Sequence, residues 1–335
     1  MANRLPIRFL AVEKITFAYI LFTTILILSV MGRLANPLEL VGLRLMIAVT
    51  IFILAYFNSL RHWWVVKLAR YAFVGALLSF WYPDTYEINR ALINHDYLLA
   101  GWEQMIFGCQ PALLFRQAIP QHWFSELVNM GYFAYYPIIL GSSLYFFFFG
   151  KKHFEHFFFV VLCSFYIYYI IYILFPTAGP QYYFPAIGLE NVHAGIFPEV
   201  GRYFNYHSTL NETANNSGIF FKMVEHTQQV GERPTAAFPS SHVGISTLIL
   251  LLIWRKRRYR LLAAIIPFYI CLVMATVYIE AHYLIDVIAG LITAGLFYYL
   301  SNVLFVYFNK RYHGLMEHAE FFEKRKPYWK TKSIE

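Results

Sequence analysis

The chain has 335 residues, of which 59% are hydrophobic and only 14% charged, with a mean hydropathy of +0.48. Soluble domains carry about 25% charged residues, so this composition excludes an ordinary water-soluble globule and points to several membrane spans. The net charge of +8 needs no nucleic acid to explain it; in a membrane protein the question is on which side the positive charges lie.

The first apolar run, 15–32, begins after Lys14 and is followed by Arg33, not by a small-residue cleavage site. It reads as a retained span and not as a signal peptide. Further runs fall at 40–58, 65–82, 129–149, 157–175, 240–254, 261–280 and 284–308. Each is near the ~20 residues that cross the hydrocarbon. The third is the weakest, with Lys67 and Arg70 in its first turns, and the sixth is short. Between the third and fourth, segment 83–128 carries Trp102, Trp123 and a Phe107-Gly108-Cys109-Gln110-Pro111 break, a pattern for short helices lying in the interface. Segment 176–239 is rich in Pro, Gly, Asn and Tyr, and loops of that length are usually functional or disordered. Its Asn211-Glu212-Thr213 triplet matches a glycosylation acceptor, a pattern common by chance.

Eight spans put both termini on one side. Of the 27 Lys and Arg residues, all but seven fall in the N-terminus, the turns near 61–70, 151–152 and 255–260, and the tail from Lys310. That bias assigns those segments, both termini included, to the cytoplasm. The run Arg255-Lys256-Arg257-Arg258 is the strongest anchor. The expected architecture is an all-α integral membrane bundle of about eight spans with interfacial helices. A single membrane domain covers 1–308 and a basic tail covers 309–335. Cys109, Cys163 and Cys271 show no metal spacing and no obvious pairing, and read as small apolar residues.

Three polar clusters stand at the non-cytoplasmic ends of the last spans. His282 and Asp286 are four apart, a spacing that shares a helix face. Asp286 would then fix the tautomer of His282 and leave its other ring nitrogen as a base or nucleophile. An aspartate one turn into a span is costly unless paired or functional. Pro239-Ser240-Ser241-His242 opens the sixth span. A helix start offers free N–H groups and a positive dipole end, Ser240 and Ser241 add hydroxyls, and His242 adds a proton donor. Arg233-Pro234 lies just upstream, and arginine is suited to phosphate. The hairpin between His242 and residue 280 returns all three clusters to one face.

The order Arg-Pro, Pro-Ser-x-His, His-x-x-x-Asp resembles the three signature motifs of the type 2 phosphatidic acid phosphatase superfamily, over roughly 220–295. The resemblance implies a six-helix membrane core and no metal or other cofactor. It implies His282 as the nucleophile that forms a phosphohistidine, Asp286 as its orienter and His242 as the general acid. Arg233, Ser240 and Ser241 would hold the phosphoryl oxygens. Two positions depart from the pattern. His226 stands where the first motif usually has Lys, and either substitutes for it or merely sits on a loop. Ala275 and Thr276 stand where the third motif usually has Ser-Arg. Thr276-Val277-Tyr278, the Phe175 to Pro180 segment and Phe107-Gly108 are similar to the branch that contains inositol phosphorylceramide synthase.

The expected activity is therefore transfer of a phosphoryl or phospho-head group from a lipid in the bilayer to an alcohol acceptor, at a periplasmic or lumenal site. Loss of arginine at 276 would leave room for a diester. A lipid phosphate or isoprenoid diphosphate phosphatase is the alternative. A transporter or scaffold is the alternative of another class, but the paired repeats of transporters are not visible. Glu280 reads as a cap of the seventh span. Tyr182, Tyr183 and Trp102 either line a lipid portal or belong to the aromatic belt.

Overall fold

The computed structural model describes residues 7–60, 63–207 and 218–309. Among these residues the chain forms helices and no strands. Residues 310–335 of the basic tail and the Asn211 triplet lie outside them. Seven helical segments are long and apolar enough to cross a membrane. They are α1 (Ala11–Ser29), α2 (Pro37–Leu60), α3 (Trp64–Asn89), the pair α6 (His122–Phe133) and α7 (Tyr135–Phe149), α8 (Lys151–Leu174), α13 (Tyr259–Tyr278) and α14 (Leu284–Phe308). The chain is thus a multi-span helical membrane bundle. The eighth expected span, α12 (Ser241–Arg255), has 15 residues. At 1.5 Å per residue it is about 22 Å long, short of the ~30 Å hydrocarbon.

The charges that weaken the third run are neutralised inside the fold. Arg70 is buried and forks onto Glu13 of α1 at 2.7 and 2.5 Å. Lys67 pairs with Glu155 at 3.2 Å. α3 continues past residue 82 to Asn89. In that extension Asp84 receives both terminal nitrogens of Arg44, at 3.0 and 2.5 Å. The fourth span breaks at Ala134 because Pro137 offers no N–H and its ring crowds the carbonyl one turn back, at Phe133.

In α8, 72% of the apolar window is buried, against 22–33% in the other six. It is therefore the central helix, and the others turn wide apolar faces outward, as a bilayer requires. One end of the bundle is covered by α4 (Asp96–Phe107), α5 (Pro111–Ala118), α9 (Pro180–Ile187), α10 (Leu189–His193) and α11 (Ile219–Gly231). Segment 176–239 is accordingly more helical than its composition suggests. Leu99, Ala100, Tyr183, Phe184 and Tyr283 form a core of this cap. Tyr182 and Tyr183 are buried in it, so they line neither a portal nor a belt, while Trp102 is exposed.

Candidate active site

Two glycines decide how α12 meets α14. A Cβ on Gly290 would stand 2.7 Å from the Ser240 carbonyl oxygen, and one on Gly244 would overlap the Tyr168 hydroxyl. Small residues let helix backbones approach closely. The approach brings His242, in the first turn of α12, against His282, in the turn before α14. His282 Nε2 lies 3.4 Å from His242 Nδ1, with ring centroids 5.6 Å apart. The rings of Tyr132 and Tyr135 pack on His242 at 4.7 and 4.3 Å.

The start of α12 is less open than a bare helix end. Ser240 is its N-cap and accepts the Val243 amide at 3.4 Å. The Ser240 amide donates to the Asp286 carbonyl at 3.0 Å. The Ser241 amide donates to the Tyr172 hydroxyl oxygen at 3.1 Å, and that hydroxyl donates to the Pro239 carbonyl at 2.9 Å. The His242 amide is the first-turn donor without a partner among the described residues. The expected cradle therefore reduces to one free amide plus hydroxyls.

His282 Nδ1 lies 2.8 Å from the Ala237 carbonyl oxygen. A carbonyl only accepts, so Nδ1 carries the proton and Nε2 keeps the lone pair that faces His242. Asp286 Oδ2 is 3.5 Å from Nδ1 and accepts the Tyr283 amide at 2.8 Å. The tautomer is thus held first by Ala237. His282 precedes α14 and is not part of it, so helical i, i+4 geometry does not govern the pair. Burial pushes the His282 imidazole down to about 4, opposed by the Ala237 bond and the charge of Glu232. Ala236 and Glu280 flank these segments with φ of +70° and +62°, a left-handed conformation uncommon for residues with side chains.

The other expected residues divide. Arg233 is half-buried, donates to the Glu232 carbonyl at 2.9 Å, and has no carboxylate in ion-pair reach among the described residues. His226 is exposed on α11, and no contact joins it to either imidazole. Thr276 is fully buried and its hydroxyl donates to the Val273 carbonyl at 2.8 Å. It neither replaces the missing arginine nor faces open space, so the room expected beside it is filled. Glu280 lies beyond the end of α13 and meets Arg116 at 3.5 Å, so it is an ion-pair partner and not a cap.

Glu232 and Asp96 are among the carboxylates that escaped the motif reading. Glu232 accepts the Tyr132 hydroxyl at 2.8 Å and the Gln181 amide at 3.1 Å, and burial pushes its carboxyl up. Asp96, at the start of α4, is fully buried. It accepts the Ala178 and Gly179 amides at 2.5 and 2.8 Å, the Asn94 amide at 2.6 Å and the Tyr283 hydroxyl at 3.0 Å. It ties the Pro176–Pro180 loop to the residue after His282. A carboxylate in an apolar interfacial helix was the available signal. Among the described residues no group of three or more His, Cys, Asp or Glu side chains is placed to hold a metal ion.

Comparison with curated proteins and with solved structures finds no match. A family model described as the PAP2 superfamily matches residues 98–300, more than half of the chain and every motif residue named above. With both histidines brought into contact at the start of α14, the chain belongs to the PAP2 superfamily, the type 2 phosphatidic acid phosphatases and their relatives.

Proposed function

We propose that the protein is a membrane lipid phosphotransferase that works through a phosphohistidine on His282. The observation that carries the proposal is the Nδ1 contact to Ala237 at 2.8 Å, which leaves the Nε2 lone pair pointing at His242. In the first step Nε2 attacks phosphorus. The N–P bond forms, the bond to the leaving oxygen breaks, and His242, protonated once the anionic phosphate is seated, gives its proton to that oxygen. In the second step the oxygen of an alcohol attacks phosphorus, the N–P bond breaks to restore the neutral His282 ring, and His242 takes up the alcohol's proton. A reacting pair sits about 3–3.5 Å apart, and the acid needs a further hydrogen bond of about 2.6–3.2 Å. The two nitrogens now touch, so the rings part when phosphate enters. Asp286 supplies the negative charge behind the nucleophile, and Arg233 with the His242 amide meets the phosphoryl oxygens.

Transfer to an alcohol is favoured over hydrolysis because His282 is only 3% exposed. A phosphohistidine held in so dry a place is shielded from water. The likeness of Thr276-Val277-Tyr278 to the inositol phosphorylceramide synthase branch points the same way, toward a phospholipid donor and a sphingolipid-like acceptor. The excess of Lys and Arg at the opposite end of α12 supports a site on the non-cytoplasmic face. Purified protein in liposomes with labelled phospholipid, given or denied a lipid alcohol, tests the reading. A new labelled lipid that requires the alcohol, with an acid-labile label trapped on His282, is expected. Release of free phosphate regardless of alcohol would establish the phosphatase instead.

A further inference from the structure

Glu103 lies on α4, outside the three motifs, and is fully buried. Its Oε1 accepts the Leu284 and Ile285 amides at 2.6 and 3.4 Å, the first two N–H groups of α14. Its Oε2 is buried without a hydrogen-bond partner, and so is Oδ1 of Asp286. Two carboxyl groups from different helices therefore grip residues 283–286, directly behind His282, and each leaves one oxygen bare. No arginine or lysine pairs with Glu103 among the described residues. The charged group it faces is Asp286, which in turn stands 3.5 Å from His282. Asp96, two turns earlier on α4, is saturated by its four donors.

We propose that Glu103 is a positioning residue for the nucleophile, clamping the start of α14 and sharing one proton with Asp286, so that a single negative charge stands behind His282. This rests on the phosphohistidine reading above. Two uncompensated negative charges at one dry helix end are mutually costly, so the pair holds one proton. A protonated carboxyl still accepts through its carbonyl oxygen, so the clamp survives neutralisation. Burial, with the charge of Asp286 second, pushes Glu103 up to about 8. Below that pH the pair keeps its shared proton. Above it a second negative charge repels the incoming phosphate, and turnover falls.

The experiment compares pH profiles of turnover for the wild type, Glu103→Gln, Glu103→Leu and His282→Ala in liposomes. Glu103→Gln keeps an acceptor oxygen and cannot ionise. It is expected to hold near-wild-type turnover at neutral pH and to lose the alkaline limb near pH 8. Glu103→Leu loses the acceptor, and kcat should drop about a hundredfold, the scale of a 1 Å misplacement, with KM changing less. If His282→Ala retains wild-type turnover, the phosphohistidine reading fails. If His282→Ala is inactive while both Glu103 variants keep the wild-type profile and kcat, the Glu103 proposal alone is overturned. Infrared difference spectra between acid and alkaline pH compare the wild type with Glu103→Gln. A protonated-carboxyl band that is lost through about pH 8 in the wild type and missing from the variant supports the proposal, and identical spectra overturn it.

Discussion

The three N-terminal helices and the helices around the motifs both bury charge, and they do so in opposite ways. Arg44 forks onto Asp84, also donates to Thr23 at 3.0 Å, and lies over the Trp81 ring at 5.4 Å. Arg70 forks onto Glu13 and donates to the Arg8 carbonyl at 2.8 Å. Each buried arginine there has a carboxylate of its own. Asp96, Glu103 and Asp286 have no arginine or lysine in reach among the described residues, and rest on amides and a tyrosine hydroxyl. A charge at membrane depth is costly unless paired or used. The contrast separates carboxylates neutralised by an arginine from carboxylates held by backbone amides and a hydroxyl. Both arginine pairs lie outside the matched region 98–300, whereas Glu103 and Asp286 lie inside it.

If the contrast is right, the two regions fail differently. The largest expected effect is in the motif region. His282→Ala should abolish turnover while the thermal unfolding midpoint in detergent stays close to the wild type. Removal of this buried ring leaves the Ala237 carbonyl without its donor, about 1–3 kcal/mol at most. A midpoint collapse with activity intact in the folded fraction would erase the distinction. Arg44→Met should do the reverse. Breaking one side of a buried pair costs about 3–5 kcal/mol because the other charge is stranded. The midpoint should drop steeply while the protein that stays folded turns over normally. The double change Arg44→Met with Asp84→Leu should recover most of the loss, since an apolar pair of similar volume is often no worse. Failure of that rescue would mean Arg44 does more than bridge.

Much of this was legible before the fold. The eight apolar runs foreshadow the helices because hydrophobic length survives tertiary context, and the motif spacing foreshadows the meeting of His242 and His282 because a hairpin returns to its own face. What was hidden depended on contacts far apart in sequence. Arg70 looked like a flaw in the third run because its partner Glu13 belongs to another helix. Asp286 was expected to hold one ring nitrogen of His282, and it does stand 3.5 Å from Nδ1, but the Ala237 carbonyl is the closer partner at 2.8 Å. Ala237 is invisible to side-chain reasoning, since it acts through its carbonyl. Glu103 and Asp96 share one face of α4, two turns apart, yet Asp96 grips amides 82 and 83 residues later and Glu103 an amide 181 residues later. His226 was placed by motif register alone, and its helix turns it outward.

The finest test lies within α14 itself. Gly290 and Gly295 are five residues apart on the same helix, but only the first touches α12. A Cβ at Gly290 meets a backbone carbonyl, Ser240 O, at 2.7 Å and Val243 at 3.3 Å, whereas one at Gly295 meets nothing within 4 Å. A backbone atom cannot rotate aside, so Gly290→Ala must push the start of α12 away from α14 and carry His242 off His282. Overpacking of this kind costs about 1–3 kcal/mol. Turnover should fall by more than the stability loss alone explains, because the imidazoles are displaced. Gly295→Ala gains helix propensity and should stabilise by at most about 1 kcal/mol with activity unchanged. Measured side by side, the two alanines report whether the contact between α12 and α14 sets the distance between the histidines. Equal behaviour would place the control of that distance elsewhere, most directly in the grip of α4 on the residues that follow His282.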